Sequence, residues 1–235
     1  MKNKSRIAKF FNDWGGAPVF GAGALILILV IWLIWSNRPG STVSDEVFES
    51  NDSYLGLEVD GTRIGDPSAP LTIWIHEDFQ CSHCKTFSSE ITHPLIDTFV
   101  KNGNAQLVFV NTPILGNESV DAAVGSLCAA DQNVFWQYHD LLFLRQGRPN
   151  SGVYSRDNLE EFAQELIREG INLDMSTFKD CLARGTSHPG VARASEAAVN
   201  NGFNGTTPYA LIGSYPISGV VDFAEIEQIV MNQLQ

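Results

Sequence analysis

Two hydrophobic periodicities take turns along the chain from about residue 54 onward. Leu71-Thr-Ile-Trp-Ile75 and Ala105-Gln-Leu-Val-Phe-Val110 are short, apolar and rich in β-branched residues, and they predict buried strands. Leu55 to Val59 alternates weakly and predicts a further short strand. From Cys84 to Lys101 the apolar residues Phe87, Ile91, Leu95 and Phe99 recur every four positions, a helical spacing that Pro94 should kink. Ser119 to Ala198 is mainly helical in pattern, with helices expected at 122–144, 156–169, 174–183 and 191–198. Strand signals return at Tyr209-Ala-Leu-Ile212 and at Pro216 to Val221, with Gly213-Ser214 as a hairpin turn between them, and Phe223 to Leu234 reads as a last amphipathic helix. The order is strand, helix, strand, helical block, hairpin, helix. It describes an α/β domain over 54–235 with a helical insertion at about 117–200.

A different pattern precedes this domain. Ala17 to Trp35 contains no charged residue over 19 positions and is continuously apolar from Leu25 to Ile34. At about 1.5 Å per residue such a run nearly spans a hydrocarbon core. A buried core helix would need a polar face, and a cleavable signal would need a shorter apolar core followed by small residues. Here Trp32 and Trp35 end the run, as suits a membrane interface. An uncleaved transmembrane anchor is therefore expected at 17–36. Lys2, Lys4, Arg6 and Lys9 precede it, which places residues 1–16 in the cytoplasm and the rest outside the cell membrane. Residues 37–53, with Pro39, Gly40, serines and acids, read as a linker.

The net charge of −12 sharpens that division. Residues 41–235 hold 10 basic and 26 acidic residues, a net of −16. An acidic domain is repelled by phosphates, so nucleic acid is excluded as a partner.

The candidate chemistry lies in four cysteines, Cys81, Cys84, Cys128 and Cys181. Cys81-Ser82-His83-Cys84 falls where a buried strand meets a helix. A helix starting there aims unsatisfied N–H groups and the positive end of its dipole at the first sulfur. That favours the thiolate, the nucleophile of disulfide exchange, and Cys84 one turn later can resolve a mixed disulfide. Zinc is the alternative, but it needs two further ligands at matching spacing, and neither Cys128 and Cys181 nor the dispersed His93, His139 and His188 offer it. No cofactor or metal is expected.

Three segments extend this reading. Glu77-Asp-Phe-Gln-Cys-Ser-His-Cys-Lys-Thr-Phe87, Phe135-Trp-Gln-Tyr-His-Asp-Leu-Leu-Phe143 and Gly205-Thr-Thr-Pro-Tyr209 together resemble the DsbA-like thioredoxin-fold proteins, most closely the membrane-tethered bacterial members. The resemblance covers about residues 55–235. It implies a thioredoxin-like fold with an inserted helical domain. It implies exchange of disulfides with exported substrate proteins carrying cysteines, and a quinone-linked membrane protein as the partner that resets the centre. It also implies that Thr207-Pro208 is a cis-proline loop facing the cysteine pair and keeping metals off it. Within the family frame Cys81, Cys84, His83, Thr207 and Pro208 are the catalytic set.

Two features depart from the family pattern. The buried acid common six residues before the first cysteine is replaced by Ile75. Glu77 shares the face of Ile75 and is the candidate substitute, while the plainer expectation is that His76 and Glu77 are both solvated at a strand end. Thr207 differs from the usual oxidase residue and recurs in isomerase-type relatives. The leading expectation is an oxidase in which the His83 imidazole helps stabilise the Cys81 thiolate. The alternatives are a reductase or isomerase on the same fold, and a membrane-anchored copper chaperone, whose cysteines would be spaced more widely. Because an external domain sits in an oxidising compartment, Cys128 and Cys181 are expected to form a structural disulfide, against the alternative of two independent buried thiols.

Overall fold

The computed structural model describes residues 25–33, 48 and 54–235. The chain divides into two compact units, one within residues 1–40 and one within 41–235. In the first, Leu25 to Leu33 is helical and its apolar side chains are exposed. Among the described residues no helix is long and apolar enough to cross a membrane. The remainder of the anchor expected at 17–36, the cytoplasmic segment 1–16 and all of the linker 37–53 except Phe48 lie outside the described residues.

The second unit is built on a six-stranded sheet. Its strands are β1 (Val59–Asp60), β2 (Arg63–Ile64), β3 (Leu71–Glu77), β4 (Ala105–Asn111), β5 (Tyr209–Ile212) and β6 (Tyr215–Ser218), in the order β1-β2-β4-β3-β5-β6. Only β3 and β4 pair in parallel, with Leu71 opposite Ala105 and Glu77 opposite Asn111. These two central strands are covered on both faces, which is why they read as apolar runs. The weak pattern at Leu55–Val59 proves to be the approach to a small hairpin at β1 and β2. Gly61-Thr62 makes its turn, with Gly61 at φ +61°. Gly213, at φ +59°, does the same between β5 and β6.

Helix α1 begins as Ser82–Phe87 and continues without a break through Ser88–Thr92, His93–Leu95 and Ile96–Val100. Pro94 does not break it. The turns at Ser88–Thr92 and Ile96–Val100, on either side of the proline, widen to π geometry. Such turns accommodate a residue that lacks an N–H and crowds the preceding carbonyl. Between β4 and β5 lie α2 (Asn117–Ala130), α3 (Phe135–Leu144), α4 (Arg156–Arg168), α5 (Met175–Arg184) and α6 (Pro189–Asn200), and α7 (Phe223–Gln233) closes the chain. The expected single helix at 122–144 is two. Asn133 at φ +58° breaks the path between α2 and α3, and their burial on nearly all sides had masked the boundary.

The interior of the helical block is cross-linked. Cys128 on α2 and Cys181 on α5 form a disulfide, with Cα atoms 5.6 Å apart and a sequence separation of 53.

Candidate redox site

Strand β3 delivers the site and α1 receives it. Asp78 caps the turn between them: its carboxylate accepts from the N–H groups of Gln80, Ile114 and Leu115 at 2.7–2.9 Å. The helical block grips the same turn from the other side. The Gln146 side-chain amide donates to the carbonyls of Phe79 (2.7 Å) and Cys81 (2.9 Å), and that of Gln80 donates to Ser119 Oγ (2.8 Å). Cys81 is thereby held in extended conformation at the capping position of α1, with φ −81° and ψ 118°.

This position accounts for the electrostatics of the pair. The Cys81 thiol is lowered to about 5, first by a hydrogen bond from the Cys84 side chain. Contributions from the Thr207 side chain and the backbone N–H groups of Cys84 and His83 add to this, and partial burial opposes them. Residues 83 and 84 are the second and third of the helix, whose free N–H groups an N-cap side chain ordinarily satisfies. Cys84 is fully buried, and burial pushes its thiol far up, reinforced by the hydrogen bond to Cys81 and by the charge of Glu77. One sulfur is thus held as thiolate and the other as thiol. Both are free cysteines in this structure.

The loop before β5 closes the site. The Thr207-Pro208 peptide bond is cis. Cys81 Sγ lies 3.5 Å from the Thr207 carbonyl oxygen and, as a thiol, donates to it. A strand–C-x-x-C–helix unit facing a cis-proline loop, on a sheet of this order, is matched by the family model described as Thioredoxin over residues 58–232.

The chain belongs to the thioredoxin family.

Within that family it is a DsbA-like thioredoxin-fold oxidoreductase. It is 26% identical over 192 residues to disulfide bond formation protein D of Bacillus subtilis (strain 168), covering 80% of this chain and 84% of that protein. The crystal structure of oxidised BdbD from Bacillus subtilis superimposes with a TM-score of 0.65 at 24% identity, over 74% of this chain and 93% of that one. Chlamydia trachomatis DsbA superimposes with a TM-score of 0.60, also at 24% identity, over 73% and 90% of the two chains. These two likenesses concern the fold.

The structure brings Cys81, Cys84, Thr207 and Pro208 together. The side chain of His83 is exposed, and the part of His83 that acts on Cys81 is its backbone N–H. The expectation that His76 and Glu77 are solvated is overturned, since both are fully buried. Strand β3 is central, so its end is covered on either face. His76 stacks on Phe203, meets the edge of Tyr209, and takes a hydrogen bond from the Asn201 amide (3.1 Å). Burial lowers its pKa to about 4. Glu77 faces the other way, toward His139 on α3, and burial raises its carboxyl. In the sequence His93 and His139 are two of three dispersed histidines with no ligand spacing. The structure joins them through Asp140, 2.9 Å from His139 Nδ1 and 3.0 Å from His93 Nε2. Their separation in sequence left no periodic signal.

Among the described residues, one group of three side chains stands close enough to share a cation: Asp131, Cys181 and His188. The Cys181 sulfur is committed to the disulfide, and His188 and Asp131 already hydrogen-bond each other at 2.9 Å. A crevice of about 870 Å³ runs between the sheet at Trp74 and Val108 and α6 at Arg193 and Ala197, and neither active-site cysteine lines it.

Proposed function

We propose that this chain introduces disulfide bonds into exported proteins, with Cys81 as the sulfur that is attacked. The observation that carries the reading is the split between the two sulfurs: Cys81 low, at about 5, and Cys84 far above the ordinary thiol range. In the oxidised protein a substrate thiolate forms a bond to Cys81 Sγ, and the Cys81–Cys84 bond breaks. The electron pair leaves on Cys84, which takes up a proton. A second substrate thiolate then attacks the substrate sulfur of the mixed disulfide and expels Cys81 as a thiolate. The substrate loses two electrons and the pair gains them. A leaving group of low pKa departs faster, and stabilising the Cys81 thiolate stabilises the reduced form, so the disulfide is the more oxidising. Thr207 and cis-Pro208 border the attacked sulfur, where an extended substrate segment would lie.

In this reading residues 1–16 are cytoplasmic, 17–36 span the membrane, 37–53 are a tether, and 54–235 work on the outer face. The charge-free run at 17–35 and the basic residues before it support the arrangement. The partner that withdraws electrons from the reduced pair is a quinone-linked membrane protein. The name of the Bacillus subtilis relative, disulfide bond formation protein D, agrees with the direction of the chemistry. Equilibration of the full chain with glutathione, beside refolding of a reduced disulfide-containing protein, tests it. A potential well above the roughly −270 mV of thioredoxin is expected. A potential at or below that value would make the protein a reductase. Isomerase activity is the second reading, favoured by Thr207 ahead of the proline, and refolding from a scrambled rather than a reduced substrate would reveal it.

A further inference from the structure

We propose that His139, clamped between Asp140 and Glu77, is the positioning residue that makes Glu77 a reversible proton donor to Cys84. The inference rests on the reading above, in which Cys84 is the sulfur that must gain and lose a proton. Glu77 sits at the end of β3, fully buried, and neither of its carboxyl oxygens has a hydrogen-bond partner of ordinary length. His139 Nε2 lies 3.7 Å from Oε2, also fully buried and also without a partner of ordinary hydrogen-bond length. The rest of the His139 ring is packed against Phe79, Phe109, Phe135, Trp136 and Phe143. Apolar rings offer Glu77 no alternative partner on that side, so its charge state is coupled first to this imidazole, with the charges of Cys81 and His93 acting beside it.

The other end of His139 is fixed. Nδ1 donates to Asp140 Oδ1 at 2.9 Å, the oxygen to which His93 Nε2 also donates at 3.0 Å, and Asp140 Oδ2 accepts from the Tyr54 hydroxyl at 2.7 Å. Three donors hold Asp140 as a carboxylate, lowered to about 2, which in turn favours a charged His139. An imidazolium there directs its second N–H at Glu77. The groups facing Glu77 are then Cys81 at the cap of α1, Cys84 and His93 on α1, and His139 with Asp140 behind it on α3.

The proton movements balance. When the Cys81–Cys84 bond is cleaved, the electron pair resides on Cys84 Sγ and the proton passes to it from the Glu77 carboxyl. The carboxylate left behind accepts from His139 Nε2–H. When Cys84 later attacks a mixed disulfide on Cys81, its proton returns to Glu77, the Cys81–Cys84 bond forms, and the bond between Cys81 and the oxidant breaks to release the oxidant's sulfur as a thiolate. Burial alone would lock Glu77 in its protonated form. The imidazolium offsets that, and both forms become accessible within one cycle.

The test is the pH dependence of ring closure, the step in which Cys84 displaces glutathione from Cys81, measured on the full chain. In His139→Gln the midpoint should move about one to two pH units alkaline, the size of one lost charge-assisted hydrogen bond. Asp140→Asn should move it the same way by less. Glu77→Gln should abolish this pH step, and adding His139→Gln to it should change nothing further. Nitrogen NMR of the unmodified protein supplies a readout independent of variant folding: the His139 ring should be doubly protonated at pH 7. A ring that is neutral at pH 7, an unmoved midpoint in His139→Gln, or an effect of His139→Gln that persists without Glu77 would overturn the proposal. Absence of any exchange with glutathione would instead overturn the oxidoreductase mechanism on which it rests.

Discussion

Replacing Cys84 with alanine removes the donor whose hydrogen bond contributes most to the low pKa of Cys81. Hydrogen bonds to charged groups are worth about 1.5–3 kcal/mol, and about 1.4 kcal/mol corresponds to one pH unit. Cys81 in Cys84→Ala should therefore titrate about one to two pH units above its value in the reduced wild type. Cys84→Ser keeps a hydroxyl donor at the same place and should stay nearer the wild type. Each variant has a single active-site thiol, so their difference isolates the donor from the loss of the disulfide. The assay is alkylation rate against pH, checked by ultraviolet absorbance of the thiolate. The same shift has a consequence for the redox couple. A thiol with a lowered folded-state pKa stabilises the reduced protein fully above the unfolded value, about 8.5, and the contribution is lost as pH falls through about 5. At pH 7, about two pH units above the folded value, it amounts to about 3 kcal/mol, or about 60 mV in the oxidising direction. Equal titration midpoints for the alanine variant, the serine variant and the wild type would refute the assignment of Cys84 as the principal donor.

His83→Ala retains the backbone N–H that acts on Cys81, and an exposed charge is worth at most about 1 kcal/mol, so the Cys81 titration should move by less than about 0.7 pH unit. A larger rise would return the role to the imidazole. His76 is lowered to about 4, so its contribution to stability is fully present above about 6.5 and is lost as pH falls toward 4. Urea titrations of His76→Gln should show a pH dependence flatter by about 3 kcal/mol over that window, and a wild-type-like slope would count against it. Removing the Cys128–Cys181 bridge with paired alanines should lower stability by about 4 kcal/mol, given the 53-residue separation, while leaving exchange at Cys81 intact. Loss of exchange in a folded variant would show that the helical block does more than support the site.

The cysteine pair and its place between a strand and a helix were legible in the sequence, because each is a local arrangement of a few adjacent residues, whereas the Thr207-Pro208 loop was legible only through the family resemblance. Periodicity located β3, β4 and most helices for the same reason: burial of one face imposes a repeat on neighbouring positions. The two-residue strands β1 and β2 escaped because so short an element carries no repeat. The break between α2 and α3 escaped because both helices are buried nearly all round. What only the tertiary structure decided is the environment of each titratable group. Whether Glu77 is solvated or buried depends on whether α3 covers the end of β3, and α3 begins 58 residues later in the chain. The low pKa of Cys81 likewise draws on Thr207, 126 residues away. Charge interactions act through space and need no fixed spacing along the chain, so the sequence named the reacting sulfurs and the fold set their protonation.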